Sequence, residues 1–368
     1  MRERPDRLNR LPEQYFTALL ARVAAAAAED GEPLVDLGRG NPEVGPPPHV
    51  VKALQDSAAR PDVHGYAPFA GLPALKEAMA ARYGEVYGVR VDAAREVAVL
   101  PGTKTGLMEF ALCAVEHGGT IVLPDPGYPD YFSAVALAGA RQVPFSGFDA
   151  TADAIYLNFP SNPTAATLPS GLFEEAVEWA NTNGAWILHD FAYGDLVFDG
   201  RRPQSFLATE GARDVGIELF SMSKSYGMAG WRLGFALGNA ELVRRIENLQ
   251  DHAFAGIFRP VQEAGIAALT GPQSSVEVRR ATYERRRDRA LEALAAVNAQ
   301  SEGTFFVWFR LPDGVTVERL LLEHRVAVAP GEGFGARGAG WARLSLAVTD
   351  ETLDRGMERL RLSLSPVR

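Results

Sequence analysis

Apolar positions recur along the chain in two rhythms. Short dense runs at 97–100, 120–123, 155–158, 186–189, 217–220 and 233–237 read as buried strands. Between most of them lie segments with apolar residues three and four apart, the spacing of a helix face. Alternating strands and helices predict an α/β fold with a mainly parallel sheet covered on both faces. In such sheets ligands bind beyond the carboxyl ends of the strands. The stretches at those ends are Pro101-Gly102-Thr103-Lys104, Pro124-Asp125-Pro126-Gly127-Tyr128, Pro160-Ser161-Asn162-Pro163-Thr164, Asp190-Phe191-Ala192-Tyr193 and Ser221-Met222-Ser223-Lys224.

The texture changes on either side of this block. An amphipathic helix is predicted from near Pro12 to the alanine run 24–28, and residues 34–37 lead into the turn Gly38-Arg39-Gly40-Asn41-Pro42-Glu43. After Pro260 the pattern predicts one long helical stretch to about residue 299. Strand-like segments follow at 303–311, 326–329 and 342–348, with a helix at 316–324 and another at the end. The chain therefore divides into an N-terminal arm with part of a small domain (1–40), a large domain (41–260) and a small α+β domain (261–368).

Composition narrows the function classes. Hydrophobic residues make up 47% of the 368 and charged residues 23%, as in ordinary globular chains. The net charge of −9 argues against a nucleic-acid surface. Cys113 is the single cysteine, so no intrachain disulfide can form and a reducing compartment is expected. The alanine run is too short and too closely flanked by charge to span a membrane. With no signal peptide in the pattern, a cytoplasmic protein without membrane or nucleic-acid partners is expected. No metal is expected.

The segment 221–235, SMSKSYGMAGWRLGF, concentrates the candidate chemistry. Lys224 follows a buried strand, where desolvation lowers a lysine pKa and frees its amine to attack a carbonyl. Ser221, Ser223 and Arg232 suit a phosphate, the arginine through charge-assisted hydrogen bonds. A lysine for an aldehyde beside a phosphate grip is what pyridoxal 5'-phosphate (PLP) requires. Thr103 and Lys104 begin a helix, where free N–H groups favour an anion. Asp190 can pair with a protonated ring nitrogen, Asn162 and Tyr193 can donate to the ring hydroxyl oxygen, and Tyr128 can stack on the ring. Taken singly, Asp190 reads equally well as a helix cap, Asn162 as an Asn-Pro turn, and Tyr193 and Tyr128 as core or helix-start aromatics.

On these residues the chain resembles the class I/II aminotransferases, the fold-type I PLP enzymes. The match to the family's lysine signature runs from Ser221 to Gly234. Residues 158–164 resemble its N-x-P-x-N-P-T-G motif, with Ala165 replacing the glycine, and Asp190 and Tyr193 stand where its D-x-x-Y pair stands. Residues 126–131 look like its ring-stacking loop. The wording of 65–71, 189–198 and 251–258 resembles the branch that includes the bacilysin-pathway transaminase, and Lys104 that of the diaminopimelate aminotransferases.

The resemblance implies a large PLP-binding domain at 41–260 and a homodimer. Its catalytic residues would be Lys224, Asp190 and Tyr193, and Tyr66 would reach the partner's phosphate. Arg343 would bind the substrate α-carboxylate, with Gly40 and Asn162 beside it. It also implies cis bonds at Asp125–Pro126 and Asn162–Pro163. Arg39, in the lip over the substrate, and Arg259 are placed to meet an acidic or polar side-chain end; the alternative is that both are solvated or paired with Glu43 or another surface acid. The expected activity is transfer of an amino group between an L-amino acid and a 2-keto acid. The rivals are a β-lyase on the same fold and a non-catalytic effector-binding module.

Overall fold

The computed structural model describes residues 4–364. After the two-residue strand Val35–Asp36 (β1), the chain builds a seven-stranded sheet. Its strands are Val97–Leu100 (β2), Thr120–Leu123 (β3), Arg141–Pro144 (β4), Ala154–Leu157 (β5), Trp186–Asp190 (β6), Gly216–Ser221 (β7) and Gly234–Gly238 (β8). Their order is β2-β8-β7-β6-β5-β3-β4. From β7 to β4 the neighbours are parallel, and β8 runs antiparallel between β2 and β7.

The alternation of side chains along a strand divides each between two cores. Val97 and Val99 join one apolar cluster, with Leu157, Ile187 and Leu237, while Ala98 and Leu100 join another, with Ile121, Tyr156 and Leu219. Both faces are buried, which is why these strands read as continuous apolar runs. The first cluster continues past residue 261 into Ala264, Ala268, Leu269 and Val276.

A second, smaller α+β body has its own core around Phe305, Phe309, Leu344 and Leu360. Its antiparallel sheet pairs Ala329–Pro330 (β12) with Trp341–Ser345 (β13), then Phe306–Arg310 (β10), then Ala299–Gln300 (β9). The strand Val326–Ala327 (β11) pairs in parallel with β1.

Three expectations need correction. The long helix after Pro260 is two helices, Arg259–Thr270 and Ser274–Ala293. Gly271-Pro272 breaks it, and the Gln273 amide donates to the freed carbonyls of Ala268 (3.0 Å) and Gly271 (2.8 Å). The strand expected at 326–329 is split at Val328 between two sheets. Edge strand β4 was not expected, because Arg141, Gln142 and Pro144 are exposed and form no apolar run. The peptide bonds Asp125–Pro126 and Asn162–Pro163 are cis as expected, and so is Phe159–Pro160.

Candidate active site

The carboxyl ends of the parallel strands open onto a cleft of about 420 Å³. Its lining brings together Gly40, Arg39, Thr103, Lys104, Tyr128, Asn162, Asp190, Tyr193, Lys224 and Arg343. The helix Tyr15–Ala27 supplies a further wall through Phe16, Leu19, Leu20 and Val23. Sequence reasoning missed that wall, because an apolar helix stripe does not say which neighbour it faces.

Lys224 lies in the short helix Met222–Ser225 directly after β7. Its Nζ donates to the Gly40 carbonyl at 3.3 Å and lies 5.3 Å from the centre of the Phe305 ring. Burial lowers its pKa to about 8; the charges of Arg343 and Arg232 act in the same direction and Asp190 opposes them. Near neutral pH a minor fraction of this amine is therefore free base, far more than of a surface lysine.

Beside it is a cradle for an anion. The helix Thr103–Ala114 begins at Gly102, whose φ of +86° few other residues adopt. A Cβ there would overlap the Arg232 guanidinium, which packs directly on this helix start. Arg232 itself has φ 56°, a conformation costing roughly 1–2 kcal/mol for a non-glycine residue. Its Nη1 donates to the Ala229 carbonyl at 3.0 Å. Ser221 Oγ accepts the Ser223 amide at 3.2 Å and so caps the lysine helix. Thr103, Ser221, Ser223 and Arg232 could thus hold a phosphate between a helix N-terminus and a guanidinium. Lys104 lines the same region, but its Nζ is paired with Asp130 at 2.9 Å.

Asp190 ends β6 and is 6% exposed. Burial raises its pKa, against hydrogen bonds from the Tyr131 hydroxyl to Oδ2 (2.8 Å) and the Ala192 amide to Oδ1 (3.2 Å). Such a carboxylate could face the protonated nitrogen of a pyridine ring. Sequence reasoning gave no role to Tyr131 and Asn158, which the fold brings to Asp190. Asn158 Nδ2 donates to the Asp190 carbonyl at 2.7 Å, and its Oδ1 accepts the Asn162 amide at 2.7 Å. Tyr131 sits three residues after Tyr128, on the same helix face, and that spacing was the available signal. The rings of Tyr128 and Tyr131 meet edge to face at 5.6 Å. Tyr193 is buried against Phe305 and Phe306, and burial raises its hydroxyl pKa.

Arg343, on β13, is 1% exposed. Nη1 donates to Asn162 Oδ1 at 2.7 Å and Nη2 to the Gly38 carbonyl at 3.3 Å. Nε has no partner among the described residues. Its guanidinium lies 3.9 Å from the Phe306 ring centre and 4.8 Å from that of Phe334. Burial lowers its pKa, and among the described residues no carboxylate offsets that cost. A buried cation with aromatic packing and only neutral acceptors could pair with a small carboxylate entering the cleft.

Arg39 lines the cleft, with Nε 3.8 Å from Asp36 Oδ2, and two predicted residues lie apart from the group. Arg259 is held by Glu263 at 2.8 Å and Asp62 at 3.7 Å, and does not line the cleft. Tyr66 is 87% exposed and also lies outside the lining. Glu43 is taken by Arg286 and by the Tyr283 hydroxyl.

Comparison with known proteins places the chain among amino-group transferases. Residues 32–360 match the family model for aminotransferase class I and II. The L-glutamine–4-(methylsulfanyl)-2-oxobutanoate aminotransferase of Bacillus subtilis (strain 168) is 43% identical, over 96% of this chain and 94% of its own length. An LL-diaminopimelate aminotransferase from Moorella thermoacetica is 37% identical, over 98% of each chain. The substrate-bound structure of BacF from Bacillus subtilis superposes with a TM-score of 0.92 at 34% identity, over 98% of each chain.

Proposed function

The chain belongs to the class I and II aminotransferases, and from that premise we propose which residues of its cleft carry the transfer. The protein is a PLP-dependent enzyme that moves an amino group between an amino acid and a 2-oxo acid. When bound, PLP supplies a conjugated ring that accepts the electron pair released at the substrate Cα.

Arg343 takes the substrate α-carboxylate in its planar fork, and Asn162 fixes the plane of that fork through the 2.7 Å bond. Gly40 closes the backbone over the same group. There a Cβ would stand 3.1 Å from the Phe306 ring and 3.5 Å from Arg343 Nη2. Lys224 Nζ would hold the cofactor aldehyde, and its free amine would take the substrate Cα proton and give it back as general base and acid. Its lowered pKa suits both tasks at neutral pH. Asp190 holds the ring nitrogen protonated, and Tyr131 and Asn158 hold Asp190. Tyr193 and Asn162 donate to the ring oxygen, and Tyr128 covers one ring face. Thr103, Ser221, Ser223 and Arg232 would hold the phosphate, with Lys104 contributing its backbone N–H at the helix start because Asp130 pairs with its Nζ, and Tyr66 would do so for the partner of a homodimer. The large unit is residues 41–260, flanked by the arm at 1–40 and the small unit at 261–368. The reaction takes place in the cytoplasm, consistent with a chain whose one cysteine forms no internal bridge.

The observation that carries this reading is Arg343. It is fully buried with no acidic partner among the described residues, in the same cleft as a half-buried lysine and a buried aspartate. The test mixes cofactor-loaded protein with one amino acid and no oxo acid. The substrates in the name of the 43% identical relative are the first to assay. One equivalent of 2-oxo acid per site, with the nitrogen kept on the cofactor, is expected. Continuing release of ammonia with a 2-oxo acid would instead mean elimination.

A further inference from the structure

Most charged side chains lining the cleft are accounted for. Lys224, Asp190 and Arg343 serve the reaction proposed above, and Lys104 is held by Asp130. Asp36 and Arg39 remain. Asp36 ends β1, and its Oδ1 accepts the Gly38 amide at 2.9 Å. Its Oδ2 accepts no hydrogen bond among the described residues. The Arg39 Nε stands 3.8 Å from Oδ2, beyond hydrogen-bond reach. The Arg39 side chain is 63% exposed, so its donors are free to turn toward the cleft. The Tyr15–Ala27 helix adds an apolar wall of Phe16, Leu19, Leu20 and Val23 to the same space.

We infer that Asp36 and Arg39 together read the far end of the substrate side chain, and that they select a neutral side chain ending in a primary amide over one ending in a carboxylate. A primary amide has two donors and one acceptor. Its N–H can donate to Asp36 Oδ2 while its oxygen accepts from Arg39. A carboxylate has no donor, so what it gains from Arg39 it loses against Asp36, and the acid is rejected by repulsion. The apolar wall takes the methylenes that lead to the amide. This inference rests on the transfer reading. It reverses the expectation that Arg39 favours acidic partners, because that expectation left Asp36 out of the site.

The test is the half-reaction of cofactor-loaded protein with L-glutamine, L-glutamate and L-alanine, followed by rapid-mixing absorbance. The wild type should use glutamine at least about tenfold better than glutamate in kcat/KM. Asp36→Asn keeps an oxygen for the Gly38 amide and puts a donor in place of Oδ2. It should shift the glutamine-to-glutamate ratio about tenfold toward the acid. The ratio is taken within each protein, so a general loss of rate does not disturb it. If no amino acid reacts, alanine included, the transfer reading falls and this inference with it. If alanine reacts but wild type treats glutamate as well as glutamine, the inference alone is overturned, whatever the variant does. An unchanged ratio in folded Asp36→Asn would also overturn it.

Discussion

At the scale of single residues, the cleft's chemistry depends on where burial puts charge. Lys224 carries a pKa of about 8 because the protein withholds water from its ammonium form. Competitive labelling of the cofactor-free protein with an amine-reactive reagent should show Lys224 reacting with a midpoint near pH 8. Ordinary lysines should titrate near 10.4. A Lys224 midpoint above 10 would mean that the amine is solvated and the cleft does not activate it. Gly102 makes a second prediction. Its positive φ and its contact with Arg232 leave no room for a side chain. Gly102→Ala should therefore weaken PLP binding by about tenfold or more by displacing the guanidinium. Absorbance titration with PLP would check this, and unchanged affinity would show that Arg232 lies outside the phosphate cradle.

At the scale of elements, the strands were the most legible part of the sequence. Runs such as Val97–Leu100 are apolar because both faces are buried, and their ends carry the polar residues that chemistry needs. The lysine segment was legible because a lysine, two serines and an arginine directly after an apolar strand mark a polar site at its end. The neighbours that hold Asp190 in place, Tyr131 and Asn158, were not, because their partners lie 59 and 32 residues away in the chain. The same holds for a buried hub on β7. Glu218 accepts from the hydroxyls of Tyr83 and Ser205, both at 2.8 Å, and from the Phe206 amide at 2.7 Å, and lies 2.7 Å from His189 Nδ1. Read in order, Glu218 looked like one polar residue in an apolar strand.

The helix Thr103–Ala114 gives a prediction of its own. Glu109 on that helix is 4% exposed, and Gln250 donates to it at 3.1 Å. Burial raises its pKa from 4.5 to about 7, with the Gln250 bond opposing. The native state then keeps a proton that the unfolded chain releases. This contribution to stability is whole below about pH 4.5 and is lost as pH rises through about 7. Glu109→Gln should remove that pH dependence and raise stability at pH 8 by roughly 1–3 kcal/mol. Urea unfolding at pH 5 and pH 8 would check it, and a variant less stable at pH 8 would show that the charged form is favoured in the fold.

At the scale of the whole molecule, an aromatic surface stands apart from the cleft. Tyr66, Phe69, Phe254 and Phe258 are all exposed. The segments that carry them lie together, with His64 stacked on Phe258 at 6.0 Å and Tyr66 edge-on to Phe69 at 6.3 Å. An exposed apolar patch of this kind suits an interface. Among the described residues no helix is long and apolar enough to cross a membrane. If a second copy covers the patch and Tyr66 serves the partner's site, two defective variants should complement each other. Tyr66→Ala and Lys224→Ala, unfolded and refolded together, should regain roughly a quarter of wild-type sites through mixed dimers. A sedimentation profile showing only monomer, or mixing that restores nothing between folded dimers, would count against a shared site.

The central claim is that this cleft carries nitrogen from one substrate to another and that Lys224 moves the proton. Its most direct test follows the nitrogen. Holoenzyme is given an amino acid labelled with nitrogen-15, an unlabelled 2-oxo acid and a pool of unlabelled ammonium. The label should appear in the new amino acid, one for each turnover, with none in the ammonium, and Lys224→Ala should form neither product. Label accumulating in the ammonium, or transfer at the wild-type rate by Lys224→Ala, would contradict the account.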